Sequence, residues 1–156
     1  MRGRVAPTPT SPNRAGTPIV LAVLAGTAVF AALAVGAAVV PDALALASAI
    51  LDLVLFGLGL VAFSVALVVA AGRSRHEELS VSGLFLLTGS APGDVRRLLL
   101  GALVVQTAAA LATAGVRPFT PLAFGVLVPT FGLGACGLWA ARHGSFPSKG
   151  SSTRVG

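Results

Sequence analysis

Few residues in this chain have the chemistry of a metal site. Residues 76–80, HEELS, begin like the HExxH pattern of zinc proteases, in which two histidines one helical turn apart bind the metal. Ser80 stands where the second histidine is required, so the pattern indicates no zinc site. The other histidine is His143, and a single cysteine, Cys136, allows no disulfide within the chain. We therefore expect no metal and no other cofactor.

A second stretch, residues 89–93, places glycine, serine and proline before Arg96 and Arg97, as a phosphate-binding loop at a helix start does. The P-loop pattern GxxxxGK[ST] needs a lysine and a spacing that this stretch lacks. A lipid phosphate suits the two arginines better than a nucleotide does. Since no nucleophile has a base and an orienting acid at a recognisable spacing, the sequence predicts a protein that is not an enzyme.

Two polar residues inside long apolar runs are the best candidates for a functional role. Asp52 is the only charge within such a run, and a charge is costly to place in a bilayer. It lies inside the span if the span begins near residue 43, or at the outer interface if the span is 53–71, and we favour the interface. Gln106 lies near mid-span on a stripe of small residues. We expect it to support helix packing, with the lining of a polar path as the alternative.

The elements that position these residues follow from composition. The chain has 156 residues, of which 55 % are hydrophobic and only 10 % charged, against about 25 % charged in a typical soluble domain. Four apolar runs, about 18–40, 45–71, 95–116 and 119–141, are each long enough to cross a bilayer core of ~30 Å as a helix. The sequence therefore predicts an all-α integral membrane protein with four transmembrane helices in two hairpins. We expect residues 1–17 to form a disordered basic cytoplasmic tail, 72–94 a cytoplasmic loop, and 142–156 a flexible cytoplasmic tail.

The positive charges predict the orientation of these spans. Arg117 alone lies in the loop between the third and fourth runs, while the other ten of the eleven Lys and Arg residues lie on the opposite side. Short loops rich in Lys and Arg stay in the cytoplasm, so both termini and the central loop are expected there. This bias accounts for the net charge of +6 without any binding of nucleic acid. The preference for Arg over Lys, with abundant Ala and Gly, favours a bacterial cytoplasmic (cell) membrane.

The central loop combines charged residues with a short apolar stretch, which is typical of an interfacial helix or hairpin. We expect it to contact membrane lipids with anionic headgroups, or alternatively a partner protein. The contact candidates are Arg73, Arg75, Leu84, Phe85, Arg96 and Arg97.

Two functions are compatible with this sequence. The first is an accessory or structural subunit, or an assembly factor, of a membrane complex with a membrane-protein partner. The alternative is a small transporter or channel that works as a homo-oligomer, because four helices enclose a packed core but scarcely a pore.

Overall fold

The computed structural model of the protein describes residues 16–77, 79–116 and 118–148. Outside these ranges lie residues 1–15, which are most of the predicted basic tail 1–17, and also Arg117 and residues 149–156. The described part of the chain is helical and contains no strand. Four helical segments in it are long and apolar enough to cross a membrane, which supports a multi-pass membrane protein.

The helices begin and end close to the boundaries of the apolar runs. Their bounds are α1 Thr17–Val39, α2 Pro41–Arg73, α3 Val81–Phe85, α4 Gly93–Val116, a 3₁₀ helix Pro121–Leu127 and α5 Pro129–His143. Prolines occupy the first or second position of α1, α2, the 3₁₀ helix and α5, where the missing N–H has no helical partner to lose. The residues Pro41 and Asp42, which break the apolar pattern, therefore start α2 rather than extend the preceding loop.

The fourth apolar run is not one continuous α-helix. It divides at Val128 into the 3₁₀ helix and α5, and together the two pieces form a segment of 23 residues. Pro129 has no N–H for the helical ladder and its ring crowds the preceding turn, so the α-helix begins anew there. The N–H groups of Val128 and Phe131 donate to carbonyls three residues earlier, at 3.0 and 2.8 Å.

The helices form a bundle in which α2 packs most extensively on α5, and α1 packs on α4. We call the end where α1 and α4 begin and where α2 and α5 end the Arg73 end, and the opposite end the Pro41 end. Large side chains that are at most 2 % exposed fill the interior between the helices, among them Phe30, Leu99, Leu122 and Val128.

The α2–α5 contact depends on glycine. A Cβ built at Gly59 would lie 2.6 Å from the backbone Cα and N of Phe131, and one built at Gly134 would meet the carbonyl oxygen of Gly59. Small residues let helix backbones approach in this way when no hydrophobic force drives them together in lipid. The two glycines therefore set the distance between α2 and α5.

The central loop is folded onto the Arg73 end of the bundle. Ser80 caps α3, since its Oγ accepts a hydrogen bond from the Gly83 N–H at 3.0 Å. The Ser90 hydroxyl donates to the Gly83 carbonyl at 2.5 Å, and the Ser145 N–H donates to the Ser90 carbonyl at 3.1 Å. Leu87 adopts a left-handed φ of 56° while fully buried, so packing holds it in a conformation that its side chain disfavours.

Candidate functional site

Gln106 forms a buried hydrogen bond between two helices. Its Nε2 donates to Oγ1 of Thr27 at 2.7 Å, and the Thr27 hydroxyl donates in turn to the Val23 carbonyl at 2.7 Å. Gln106 is 0 % exposed, and its Oε1 faces Gly132 of α5 without a hydrogen-bond partner in the described structure. The bond joins α4 to α1, which is the geometry that a packing residue requires.

Asp52 lies deep in the bundle, on the face of α2 that packs against α5 and the 3₁₀ helix. It shares this face with Gly59 and Ala66, seven and fourteen residues further on. The side chain is 1 % exposed, and neither carboxylate oxygen has a hydrogen-bond partner among the described residues. The surrounding helices therefore enclose this carboxyl group. Its depth in a bilayer stays a prediction.

The two polar candidates lie at different levels of the bundle and do not share a hydrogen bond. Gly26, next to Thr27, faces Leu55 of α2, so Gln106 and Leu55 lie at similar levels. Asp52 is three residues beyond Leu55 toward the Pro41 end, or about 4.5 Å along the helix. In the described structure the Asp52 carboxylate oxygens and the Gln106 Oε1 have no hydrogen-bond partner, and the Gln106 Nε2 donates to Thr27 rather than to Asp52.

The carboxyl group of Asp52 has no hydrogen-bond partner among the described residues, and this predicts how its replacement changes the free energy of unfolding. We expect Asp52→Leu to raise the free energy of unfolding by about 1 to 3 kcal/mol, because it removes a buried polar group that has lost water without gaining a partner. Asp52→Asn is the matched control, since it keeps a polar group at the same place and should gain less. Chemical unfolding of the full chain in detergent micelles measures both, and a loss of stability in Asp52→Leu would contradict the expectation.

Arg73 is bound within the chain rather than directed outward. Its guanidinium donates to the carbonyls of Ala141 and Gly144 at 2.8 and 3.0 Å, and its Nε donates to Oε2 of Glu77 at 2.9 Å. The same group lies 5.2 Å from the ring centre of Phe146, a cation–π distance. Arg73 therefore ties the end of α2 to the end of α5.

The other contact candidates divide into two groups. Leu84 is 6 % exposed inside the core, and the half-buried Phe85 stacks on Phe63 with ring centres 4.9 Å apart. Leu84 and Arg73 are thus engaged within the chain, and contact of either with lipid or a partner stays a prediction. Three exposed arginines lie at the Arg73 end, where contact with anionic headgroups stays a prediction: Arg75 in the loop, and Arg96 and Arg97 near the start of α4.

The structure reveals one feature that the sequence analysis did not predict, the exposed face of α2. Eight residues recur at alternating spacings of three and four, and all are exposed: Ala47, Ile50, Val54, Gly57, Val61, Ser64, Val68 and Ala71. We call this set the α2 heptad face. Leucines flank it every seven residues, at Leu46, Leu53, Leu60 and Leu67. The spacing is visible in the sequence, but only the structure shows that the opposite face of α2 is the buried one.

Gly57 gives the α2 heptad face its shape. A Cβ built there would meet no atom within 4 Å, so this glycine leaves a shallow depression on the surface of α2. Small and β-branched residues at a heptad spacing are typical of a seam into which a second helix packs. No described element of this chain occupies that seam.

Comparison of the chain with protein-family models, with curated proteins and with solved structures finds no match. Within the described ranges, no three His, Cys, Asp or Glu residues cluster as metal ligands would. The function is therefore inferred from packing and from the exposed surfaces.

Proposed function

We propose that this protein is a non-enzymatic accessory subunit or assembly factor of a membrane complex, held in a bacterial cytoplasmic membrane with both termini inside. Its α2 heptad face binds an uncharged transmembrane helix of a partner protein. The observation that carries the proposal is this face, because it has the periodicity and residue sizes of a helix-packing seam but none of the described helices lies on it.

The chemistry of the bilayer explains why residue size matters on this face. Lipid tails are as apolar as leucine, so apolar area alone does not draw two helices together in a membrane. Close contact does, and it needs small side chains where the axes cross. Gly57 and Ser64 provide such positions seven residues apart, while Val54, Val61 and Val68 provide stiff side chains that lose little freedom on packing.

The α2 heptad face also specifies the kind of partner. From residue 43 to residue 72 the only charged residue of α2 is Asp52, and it lies on the opposite, buried face. A partner helix with a charge at the seam would leave that charge unpaired, which lipid-like surroundings penalise. The matching surface is therefore a helix with its own small and β-branched residues.

The interior of the bundle favours a structural role over transport through a single copy. The backbones of α2 and α5 touch at Gly59 and Phe131, and Phe30 and Leu122 fill the space toward the Pro41 end. A path for a solute would have to run between copies of the protein rather than through one.

Photo-crosslinking in intact membranes tests the proposed interface. A photoreactive residue is placed at Gly57 in the full chain and, as a matched control, at Gly101 of α4, where a side chain also meets no neighbour. We expect the residue at Gly57 to give one discrete protein adduct whose added mass differs from the 15.4 kDa of this chain, and the control to give no protein adduct. Absence of any adduct from Gly57, or equal products from both positions, would contradict the proposal.

The alternative function, a small homo-oligomeric transporter or channel, has one specific observation in its favour. The buried and unpartnered carboxyl group of Asp52 is the kind of intramembrane group that marks an ion or proton path. An adduct of twice the chain mass would support this alternative. The variants Asp52→Asn and Gln106→Leu would then be compared: loss of flux at unchanged protein levels indicates transport, and reduced levels alone indicate packing.

A further inference from the structure

A groove runs along the outside of the bundle between α1 and α4, and we call it the α1–α4 groove. It begins at the Arg73 end as a cavity of about 320 Å³ and continues as a second cavity of about 340 Å³, with Leu24 and Leu98 lining both. Its walls are apolar, and small residues form much of the second cavity: Ala28, Ala31, Gly101 and Ala102. A Cβ built at Gly101 would meet no atom within 4 Å, so the groove is open there.

The length of the α1–α4 groove matches one leaflet of a membrane. From Asp94 in the first cavity to Val105 in the second, α4 rises by about 16 Å, and half of a bilayer core is ~15 Å. An acyl chain that enters at the Arg73 end would therefore lie in the groove over its whole depth in that leaflet.

Arginines lie beside the groove, while Asp94 is the only charged residue among the described residues that line its first cavity. Arg97 lines the second cavity, and Arg96 and Arg97 together line an adjoining cleft beside Leu100. The Arg97 side chain is 86 % exposed and only 3.9 Å from a carboxylate oxygen of Asp94, which is itself 91 % exposed. Such a pair is weak in water, so the Arg97 guanidinium is available to a phosphate. The described residues of this end hold five arginines and two carboxylates.

Trp139 lines the first cavity, and its indole N–H is buried there against Gly16. The side chain is 5 % exposed, and its Nε1 has no hydrogen-bond partner in the described part of the chain. This Nε1 faces Gly16, where a Cβ would collide with it, and Gly16 lines the same cavity.

We propose that the α1–α4 groove binds one anionic phospholipid of the leaflet at the Arg73 end. The acyl chain lies between α1 and α4 against Gly101, and the phosphate meets Arg97 with Arg96 beside it. The glycerol end of the lipid lies beside Trp139, which lines the first cavity. This site is formed by α1 and α4 rather than by the α2 heptad face, and it does not depend on the proposed function.

The single tryptophan makes the site directly measurable, because the chain has one Trp and no Tyr. The full chain is placed in phosphatidylcholine vesicles that contain a small fraction of lipid brominated near the glycerol end of the acyl chain, which quenches nearby indole fluorescence. We expect brominated phosphatidylglycerol to quench Trp139 at about a fivefold lower mole fraction than brominated phosphatidylcholine, the ratio that one arginine contact with an anionic lipid provides.

Two variants and their controls locate the binding. Arg97→Gln is expected to abolish the preference for phosphatidylglycerol, while Arg75→Gln, which removes an equal charge at the same end but does not line the groove, leaves it. Gly101→Leu fills the groove and weakens quenching by both lipids, while Gly57→Leu, an equal change on the open face of α2, does not. Equal quenching of the unmodified protein by both lipids, or a preference that survives Arg97→Gln, would overturn the proposal.

Discussion

We expect Gly59→Ala to destabilise the protein more than any other substitution in α2 that adds a single methyl group. The new Cβ would lie 2.6 Å from Cα and N of Phe131 and 2.7 Å from the carbonyl carbon of Thr130. These are backbone atoms in α5, so neither helix relieves the collision without moving as a whole. Overpacking of this kind costs about 3 kcal/mol at the upper end of its usual range. Chemical unfolding in detergent micelles measures the change in the free energy of unfolding.

Gly57 provides a matched control two residues away on the same helix. A Cβ at Gly57 meets nothing within 4 Å, and alanine is a better helix former than glycine by about 1 kcal/mol. We therefore expect Gly57→Ala to leave stability unchanged or to raise it. If Gly59→Ala proved as stable as Gly57→Ala, the close α2–α5 contact would be wrong.

Arg73→Gln is expected to have the second largest effect, because it releases the end of α5. The substitution removes two hydrogen bonds from a charged donor, to the carbonyls of Ala141 and Gly144, as well as the ion pair with Glu77. Hydrogen bonds that involve a charged group contribute about 1.5 to 3 kcal/mol each. Because Arg73 is partly exposed, we expect the free energy of unfolding to fall by about 3 kcal/mol in total, with the destabilisation concentrated at the Arg73 end.

Hydrogen exchange of two backbone amides measures this release locally. The Gly144 N–H donates to the Ala140 carbonyl at 2.8 Å, and the Ser145 N–H to the Ser90 carbonyl at 3.1 Å. Both should exchange faster in Arg73→Gln, and Arg73→Lys should not restore them, since an ammonium lacks the planar fork that reaches two carbonyls. Arg75→Gln is the control. Unchanged exchange at Gly144 in Arg73→Gln would contradict the role assigned to Arg73.

The four long helices could be predicted from the sequence because the bilayer imposes a length on apolar runs. A run of about 20 residues has one regular structure in which all backbone groups are bonded, and the four runs of this chain meet that condition. The division of the last run at Val128 could not be predicted in detail. Pro129 signals a disturbance, but packing decides whether it bends a helix or starts a new one after a 3₁₀ turn.

The rotation of each helix about its axis was the part that the sequence left open. Gln106 stood out because an amide near mid-span needs a partner, yet the choice of Thr27 depends on how α1 and α4 face each other. Arg73 was expected to meet lipid because arginines at a span end commonly do, and only the tertiary structure places the carbonyls of α5 within its reach. The burial of Asp52 and the exposure of the α2 heptad face likewise depend on the rotation of α2 about its axis. Each was visible as a pattern, but which side of α2 is buried depends on the contact at Gly59.

The most direct test of the proposed function is the composition of the native particle. The full chain, at its natural level of expression, is transferred from the membrane into lipid nanodiscs, and the particle mass and every accompanying protein are determined. Our account predicts a stoichiometric membrane-protein partner that the Gly57→Leu variant loses and the Gly101→Leu variant keeps. A particle that contains only copies of this chain, or a partner that both variants retain, would contradict it.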